Sequence, residues 1–273
     1  MSSKDFGIQR HFHQKRQKRR RIRLFLYCSV AVVLFAALLY VPFFSGYFNV
    51  KNVSVSGTEA IPSESVRKTV TDMLDEPALL ILARRSIFLF STREAEQRLE
   101  KEFSRIETVS VSKRPFSREI AVAIVERQSA GIACGKNAGD ACFYFDKNGA
   151  LFAEAPFTVG ASLLLVKEDA LRPSELPHAQ YTKEAVAFMF RIKEYARDFG
   201  GVTVESFSFL NHYGDVEALC VEGFKILFSM EQDGTKQAQV LKHLLAEEIK
   251  DNIAKLDYID FRVENRAYYK LKK

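Results

Sequence analysis

The 273-residue chain lacks the signatures of the common catalytic folds. It has no G-x-S-x-G elbow, no Walker or dinucleotide glycine fingerprint, and no S-x-x-K followed by partner motifs. Histidine is scarce: His11 and His13 lie near the N-terminus, His178 and His212 in loop-like stretches, and His243 on a helix stripe. None forms a zinc-type H-x-x-x-H pair on the folded part. Cysteine is scarce too, with four in all. Cys28 lies in an apolar run and Cys220 in a strand-like one, so both read as small core residues. Cys134 and Cys142 bracket the polar stretch GKNAGDA, and two readings stay open for them, a disulfide in an oxidising compartment or two free thiols. A metal site is disfavoured, because two thiols without a nearby His or carboxylate cluster cannot fill a tetrahedral shell. Carboxylates are plentiful but sit on charge-alternating faces such as EAEQRLEKE, the pattern of solvated surface. Two of them distant in sequence could still converge, as in sugar-cleaving enzymes. No catalytic residue, metal or cofactor is therefore expected.

What the chain does have is an uneven distribution of charge. Residues 1–23 carry nine Lys/Arg against Asp5, so this tip holds +8 of a total of +6 and the remaining 250 residues sum to −2. Directly behind it runs LFLYCSVAVVLFAALLYVPFF, residues 24–44, without a charged residue. At about 1.5 Å per residue that run is as long as the ~30 Å hydrocarbon core of a bilayer. Tyr40, Phe43, Phe44 and Tyr47 suit an interfacial belt. A cleaved signal peptide fits less well, because the run exceeds the usual apolar core of ~7–15 residues and no A-x-A-like site precedes Gly46. The expectation is a single uncleaved anchor with the basic tip in the cytoplasm and residues 45–273 outside. The tip reads as a topogenic signal rather than a nucleic-acid site, since no folded module or aromatic platform surrounds its charges.

Beyond the anchor the period of the apolar residues sorts the chain into two regions. The first reads strand (NVKNVSVSG), helix (IPSESVRKTVTDML, stripe Val66, Val70, Met73, Leu74), then a helix with Ser91 as N-cap, Glu94 three residues on, and Ala95, Leu99 and Phe103 inside. Two strands follow, IETVSVSKRP and REIAVAIVER, separated by Pro115-Phe116-Ser117. This is a small β-α-α-β-β module with both helices on one sheet face. The apolar stretch PALLILARR between the helices is not typed by its pattern. From about Gln128 a larger, mostly antiparallel β domain with two helices is expected, a second α+β unit. Its signals are the hairpin FYFDKNGALF, the helix YTKEAVAFMFRIKEYARDFGG ended by Gly200-Gly201, three further strands, and the helix GTKQAQVLKHLLAEEI.

The final stretch, LDYIDFRVENRAYYKLKK, alternates: Ile259, Phe261 and Val263 point one way, and Tyr258, Asp260, Arg262 and Glu264 the other. Residues 267–271 are expected to pair back as a hairpin. Tyr268 and Tyr269, being adjacent, face opposite sides, so one of the two is expected in the core. The outermost strand then has an open rim, which a protein either defends or uses.

In layout the chain resembles the FtsQ/DivIB family of bacterial cell-division proteins. The likeness is carried by FNVKNVSVSGTEAIPSESVRK, by IETVSVSKRPFSREIAVAIVERQSAGI with its Glu-Arg, and by the Asp-x-x-Gly hairpin FYFDKNGALF with the terminal Asp-x-Arg strand. The apolar PALLILARR, and Val263 where some relatives carry an aromatic residue, depart from that pattern. The resemblance implies a basic cytoplasmic tip (1–23), a transmembrane helix (24–44), a POTRA domain (48–127) and a β domain (128–273). It further implies a non-enzymatic scaffold, single-pass and type II in the inner membrane at the septum. Such a scaffold would bind FtsB/DivIC-like and FtsL-like coiled-coil proteins, with other division proteins meeting the POTRA domain. By position in the motif, Arg262 would meet a partner carboxylate, and Tyr268, Tyr269 and Lys270 would lie on a strand that accepts a partner strand. Two other readings are a POTRA protein of outer-membrane transport or assembly, and a membrane-anchored cell-wall enzyme. The first conflicts with the shortness of the region behind the POTRA module, the second with the missing catalytic motifs.

Overall fold

The computed structural model describes residues 23–37, 40, 46–79, 82–83, 85–137, 140–156, 163–169, 171, 173–210, 214–264 and 266–272. The basic tip lies almost wholly outside them. Helix α1 runs over residues 23–37 and so covers the expected anchor from Leu24 to residue 37; Tyr40 is also helical, while 38, 39 and 41–44 of the anchor lie outside the described set. Among the described residues no helix is long and apolar enough to cross a membrane.

The chain folds as two compact units. In the first, β1 (Asn52–Ser56) leads to α2 (Ser63–Asp75), which Pro62 opens and whose predicted stripe Val66, Val70, Met73 and Leu74 is buried. The untyped apolar stretch contributes β2 (Pro77–Leu79) and β3 (Leu82–Ala83), a short antiparallel ribbon; residues 80, 81 and 84 lie outside the described set. Helix α3 (Thr92–Glu102) starts as the capping pattern requires, the Glu94 N–H donating to Ser91 Oγ at 3.3 Å, and buries Ala95 and Leu99. Phe103 lies beyond its end and is only half-buried. Strands β4 (Ile106–Arg114) and β5 (Glu119–Glu126) complete a sheet of order β1-β5-β4, in which β1 runs parallel to β5.

The second unit takes in residues 101–107 and everything from Val125. Its strands are β6 (Gly131–Gly135), β7 (Cys142–Phe145), β8 (Ala150–Ala155), β9 (Leu164–Glu168), β10 (His178–Ala179), β11 (Val204–Phe209), β12 (Asp215–Cys220), β13 (Lys225–Ser229), β14 (Leu256–Asp260) and β15 (Tyr268–Leu271). They form one sheet in the order β10-β8-β7-β6-β9-β11-β12-β13-β14-β15. Six of its nine junctions are antiparallel and three are parallel, β6/β9, β9/β11 and β13/β14. Parallel neighbours need a crossover. Helices α4 (Lys183–Gly200) and α5 (Gly234–His243) supply two of the three. Thr182 caps α4 by accepting from the Ala185 N–H, and Gly201 ends it in the left-handed region at φ 65°. The helix expected after Gly234 is shorter than its periodicity implies. After His243 it passes into a π turn (Leu244–Ile249) and a 3-10 turn (Lys250–Lys255) before β14.

The core lies between the helices and one sheet face. Met189, Ile192 and Ala196 of α4 and Leu241 of α5 meet Phe207, Val216, Ile226, Phe228 and Ile259 from the strands. A smaller cluster of Ile132, Cys134, Cys142 and Leu165 belongs to other positions of β6, β7 and β9, as strand alternation demands.

Candidate functional site

Strand β15 is the outermost strand at one end of the large sheet, and it is held from its inner side only. Its support starts with apolar burial. Leu256 and Ile259 of β14 are fully buried, and Phe261, just past that strand, is stacked on Phe228 with ring centroids 5.6 Å apart and planes 9° from parallel. The Phe261 N–H donates to Leu227 O at 2.8 Å and so prolongs the β13 pairing by one residue. Arg262 therefore leaves the sheet from a rigid point.

The Arg262 guanidinium meets the Asp260 carboxylate as a fork, Nε to Oδ1 at 2.9 Å and Nη2 to Oδ2 at 2.7 Å, and the Arg262 N–H also donates to Oδ1 at 3.0 Å. Asp215 lies 3.8 Å from Nη1. This hydrogen bonding to Arg262 holds the Asp260 carboxyl below the usual carboxylate range and raises Arg262 in turn. Gln232 Nε2 donates to Arg262 O at 3.0 Å. The predicted site arginine is thus already engaged inside the molecule, yet it remains exposed. Asp260 was not among the predicted site residues. The signal for it was present, since an Asp-x-Arg spacing on a strand puts both side chains on one face.

In the register of β14 and β15, Asp260 faces Tyr268, Ile259 faces Tyr269 and Tyr258 faces Lys270. Arg262, Tyr268 and Lys270 therefore share the outer face, while Tyr269 stands on the core side. The expectation that one tyrosine is buried is corrected: Tyr268 is 48% exposed and Tyr269 42%. Tyr269 shares the face of the buried Ile259, but among the described residues the packed core takes in none of β15, leaving the ring on the rim. Tyr268 Oη accepts from Arg266 Nη1 at 3.3 Å. Lys270 Nζ lies 2.8 Å from Asp257 Oδ2 and 5.7 Å from the Tyr258 ring centre, and this pairing lowers Asp257 and raises Lys270.

Beside Arg262 lies a groove of about 800 Å3, lined among others by Lys236, Gln237 and Val240 of α5 and by Phe261, Arg266 and Ala267. The buried Gln237 donates to Ser229 O, while its Oε1 has no hydrogen-bond partner among the described residues. Among the described residues no group of three or more His, Cys, Asp or Glu is placed to hold a metal.

Two other quoted motifs meet in the second unit. Asp146 of the Asp-x-x-Gly hairpin is buried; its Oδ1 accepts the N–H groups of Asn148 and Ala150, and its Oδ2 pairs with Arg127 Nη1. Gly149 closes the turn at φ 83°, where a Cβ would lie 2.3 Å from Tyr181 O, so no side chain fits. Cys134 and Cys142 are cross-strand partners in β6 and β7 and form a disulfide. Cys28 and Cys220 are free.

Comparison with known proteins finds a POTRA domain, FtsQ-type, matching residues 48–127. Over 236 residues the chain is 29% identical to the cell division protein FtsQ of Streptomyces bingchenggensis (strain BCW-1), covering 83% of this chain and 82% of that protein.

Proposed function

We propose that this chain, which carries an FtsQ-type POTRA domain over residues 48–127 and is similar to a cell division protein FtsQ over most of its length, is a member of the FtsQ/DivIB family and a non-enzymatic scaffold of the bacterial division machinery whose docking edge is β15. The observation that carries the reading is the open outer edge of β15, to which no strand is paired among the described residues. Two exposed tyrosines flank it, and Arg262 and Lys270 stand on the same outer face as Tyr268. A partner strand added there gains main-chain hydrogen bonds for affinity and side-chain contacts for specificity. Tyr and Arg are also residue types that dominate interface hot spots. The partners are FtsB/DivIC-like and FtsL-like single-span coiled-coil proteins, and a carboxylate from one of them competes with Asp260 for the Arg262 fork. Residues 24–44 anchor the protein in the inner membrane with the two folded units outside, at the septum. The POTRA domain is a second meeting point for division proteins.

Co-purification from detergent tests the edge. The full chain brings down a small single-span coiled-coil protein, and Arg262→Glu and Tyr269→Lys each lose it while keeping their circular dichroism. Full retention by both variants rejects β15 as the docking edge. A reporter enzyme that works only outside the membrane, fused after Lys273, should be active; an inactive fusion inverts the topology.

A further inference from the structure

The turn between β4 and β5 carries a phenylalanine with no protein contact over its ring: Phe116 is 100% exposed. The parallel register Asn52↔Glu119 places this turn at the leading end of β1, level with the point where the chain comes in from the apolar run. Two hydrogen bonds fix that placement, Lys51 N–H to Arg118 O at 2.8 Å and Arg118 Nη1 to Tyr47 O at 3.3 Å. Arg118 adopts φ 55°, uncommon for a residue with a side chain, and its guanidinium lies 5.4 Å from the Tyr47 ring centre. Tyr47, Phe48 and Phe88 continue the aromatic surface as edge-to-face pairs with centroids 5.2 and 5.1 Å apart. Tyr47 is 69% exposed and Phe88 is also open. Lys51, Lys113, Arg114 and Arg118 stand in or next to this end, and of these Arg114 is paired with Glu119.

We propose that this end of the first unit is a membrane foot, in which Phe116 and Tyr47 enter the headgroup region of an anionic bilayer while the basic side chains meet lipid phosphates. The inference rests on the reading that residues 24–44 span the membrane. Under that reading Tyr47 follows the last apolar residue, Phe44, by three residues, at most about 11 Å of chain. Aromatic rings flanked by Lys and Arg are the composition that settles at a bilayer interface. Each cation near an anionic surface strengthens the contact by about fivefold. A tether this short holds the surface at an effective concentration in the millimolar range, so a weak contact is occupied. The charge complementarity and the tether both select lipid over a protein partner.

The sequence contains no tryptophan, so Phe116→Trp makes the full chain a single-tryptophan reporter at a position where the ring touches nothing. Reconstituted in nanodiscs of phosphatidylglycerol and phosphatidylcholine, it should emit to the blue and be quenched by lipids brominated near the headgroup. In phosphatidylcholine alone, or with Lys113→Gln and Arg114→Gln added, the partition should fall by about fivefold per cation removed. A separate Tyr27→Trp variant reads the anchor and should be quenched by bromines deep in the bilayer. Deep quenching of Tyr27→Trp without any quenching of Phe116→Trp overturns the foot and leaves the anchor standing. Absence of quenching in both overturns the spanning reading itself. Protection of Phe116→Trp that appears only in native membranes, and not in purified lipid, overturns lipid as the occupant in favour of a protein.

Discussion

Arg127 donates through Nη1 to Oδ2 of Asp146, an ion pair between a half-buried guanidinium and a buried carboxylate 19 apart in sequence. The same guanidinium gives Nε to Ser104 O at 3.2 Å, and Ser104 Oγ donates to Phe152 O at 2.6 Å. Arg105 lies over the Tyr144 and Phe152 rings at 5.9 and 5.8 Å. The Glu-Arg and Asp-x-x-Gly motifs, separate in the sequence, are thus the two halves of one contact.

Removing one half strands a charge. Arg127→Met should destabilise the protein by about 3–5 kcal/mol, because Asp146 then stays buried without its cation. Asp146→Ala should cost at least as much, since it also releases two turn N–H groups. Urea unfolding of the full chain in detergent, followed by circular dichroism, measures both. A loss below about 1 kcal/mol would mark the pair as an ordinary surface bridge.

Phe261 couples the core to the proposed docking edge. Phe261→Ala should cost about 3–5 kcal/mol through the cavity left against Phe228, and Phe261→Leu considerably less. Because Arg262 is the next residue, the alanine variant should also weaken partner capture under conditions where it remains folded. Pull-down at low temperature alongside thermal unfolding separates the two effects. Unchanged capture in a destabilised variant would uncouple Phe261 from the site.

The Asp260–Arg262 pair sets a pH dependence of known sign. The carboxyl of Asp260 is held below its ordinary value, so the folded state binds its proton more weakly than the unfolded chain. The stabilisation is present above the ordinary aspartate range of about pH 3.9 and is lost as pH falls through the lowered folded value. The pair is partly exposed to solvent, so its contribution is about 0–1 kcal/mol. A double-mutant cycle of Asp260→Ala and Arg262→Ala, run from pH 6 to pH 2, should show a coupling energy that shrinks towards zero at the acid end. A coupling that grows on acidification would reverse the assignment.

Cys134 and Cys142 close a loop with a sequence separation of 8, for which chain entropy predicts about 2–3 kcal/mol. Cys134→Ser with Cys142→Ser should lower the unfolding free energy by that amount, and dithiothreitol should do the same to the parent protein and nothing to the variant. Equal stability in both redox states would show that the strands carry the loop unaided.

The parts of the fold governed by local periodicity were legible from residues alone. The stripes of α2 and α4, the Ser91 cap and the Asp146–Gly149 turn are short-range patterns. What escaped was non-local. The β2–β3 ribbon arises from an apolar stretch without periodicity, and β10, at Ala179, pairs with Ala150, far away in the chain. The parallel β6/β9 and β9/β11 neighbours are likewise invisible to any window. At the candidate site, alternation placed Tyr268 and Tyr269 on opposite faces correctly. It carries no information about how far the helices extend over the sheet, and so it buried one ring too many.

The parallel pairing of β1 with β5 has a geometric consequence. A strand that leaves in the direction in which the first one entered moves the chain forward, whereas an antiparallel partner would bring it back. From Glu119, level with Asn52, to Glu126, the backbone advances roughly 23 Å at about 3.3 Å per residue. A residue inserted into β5, the central strand of this sheet, would shift its register against both β1 and β4 and turn the side chains beyond it to the opposite face.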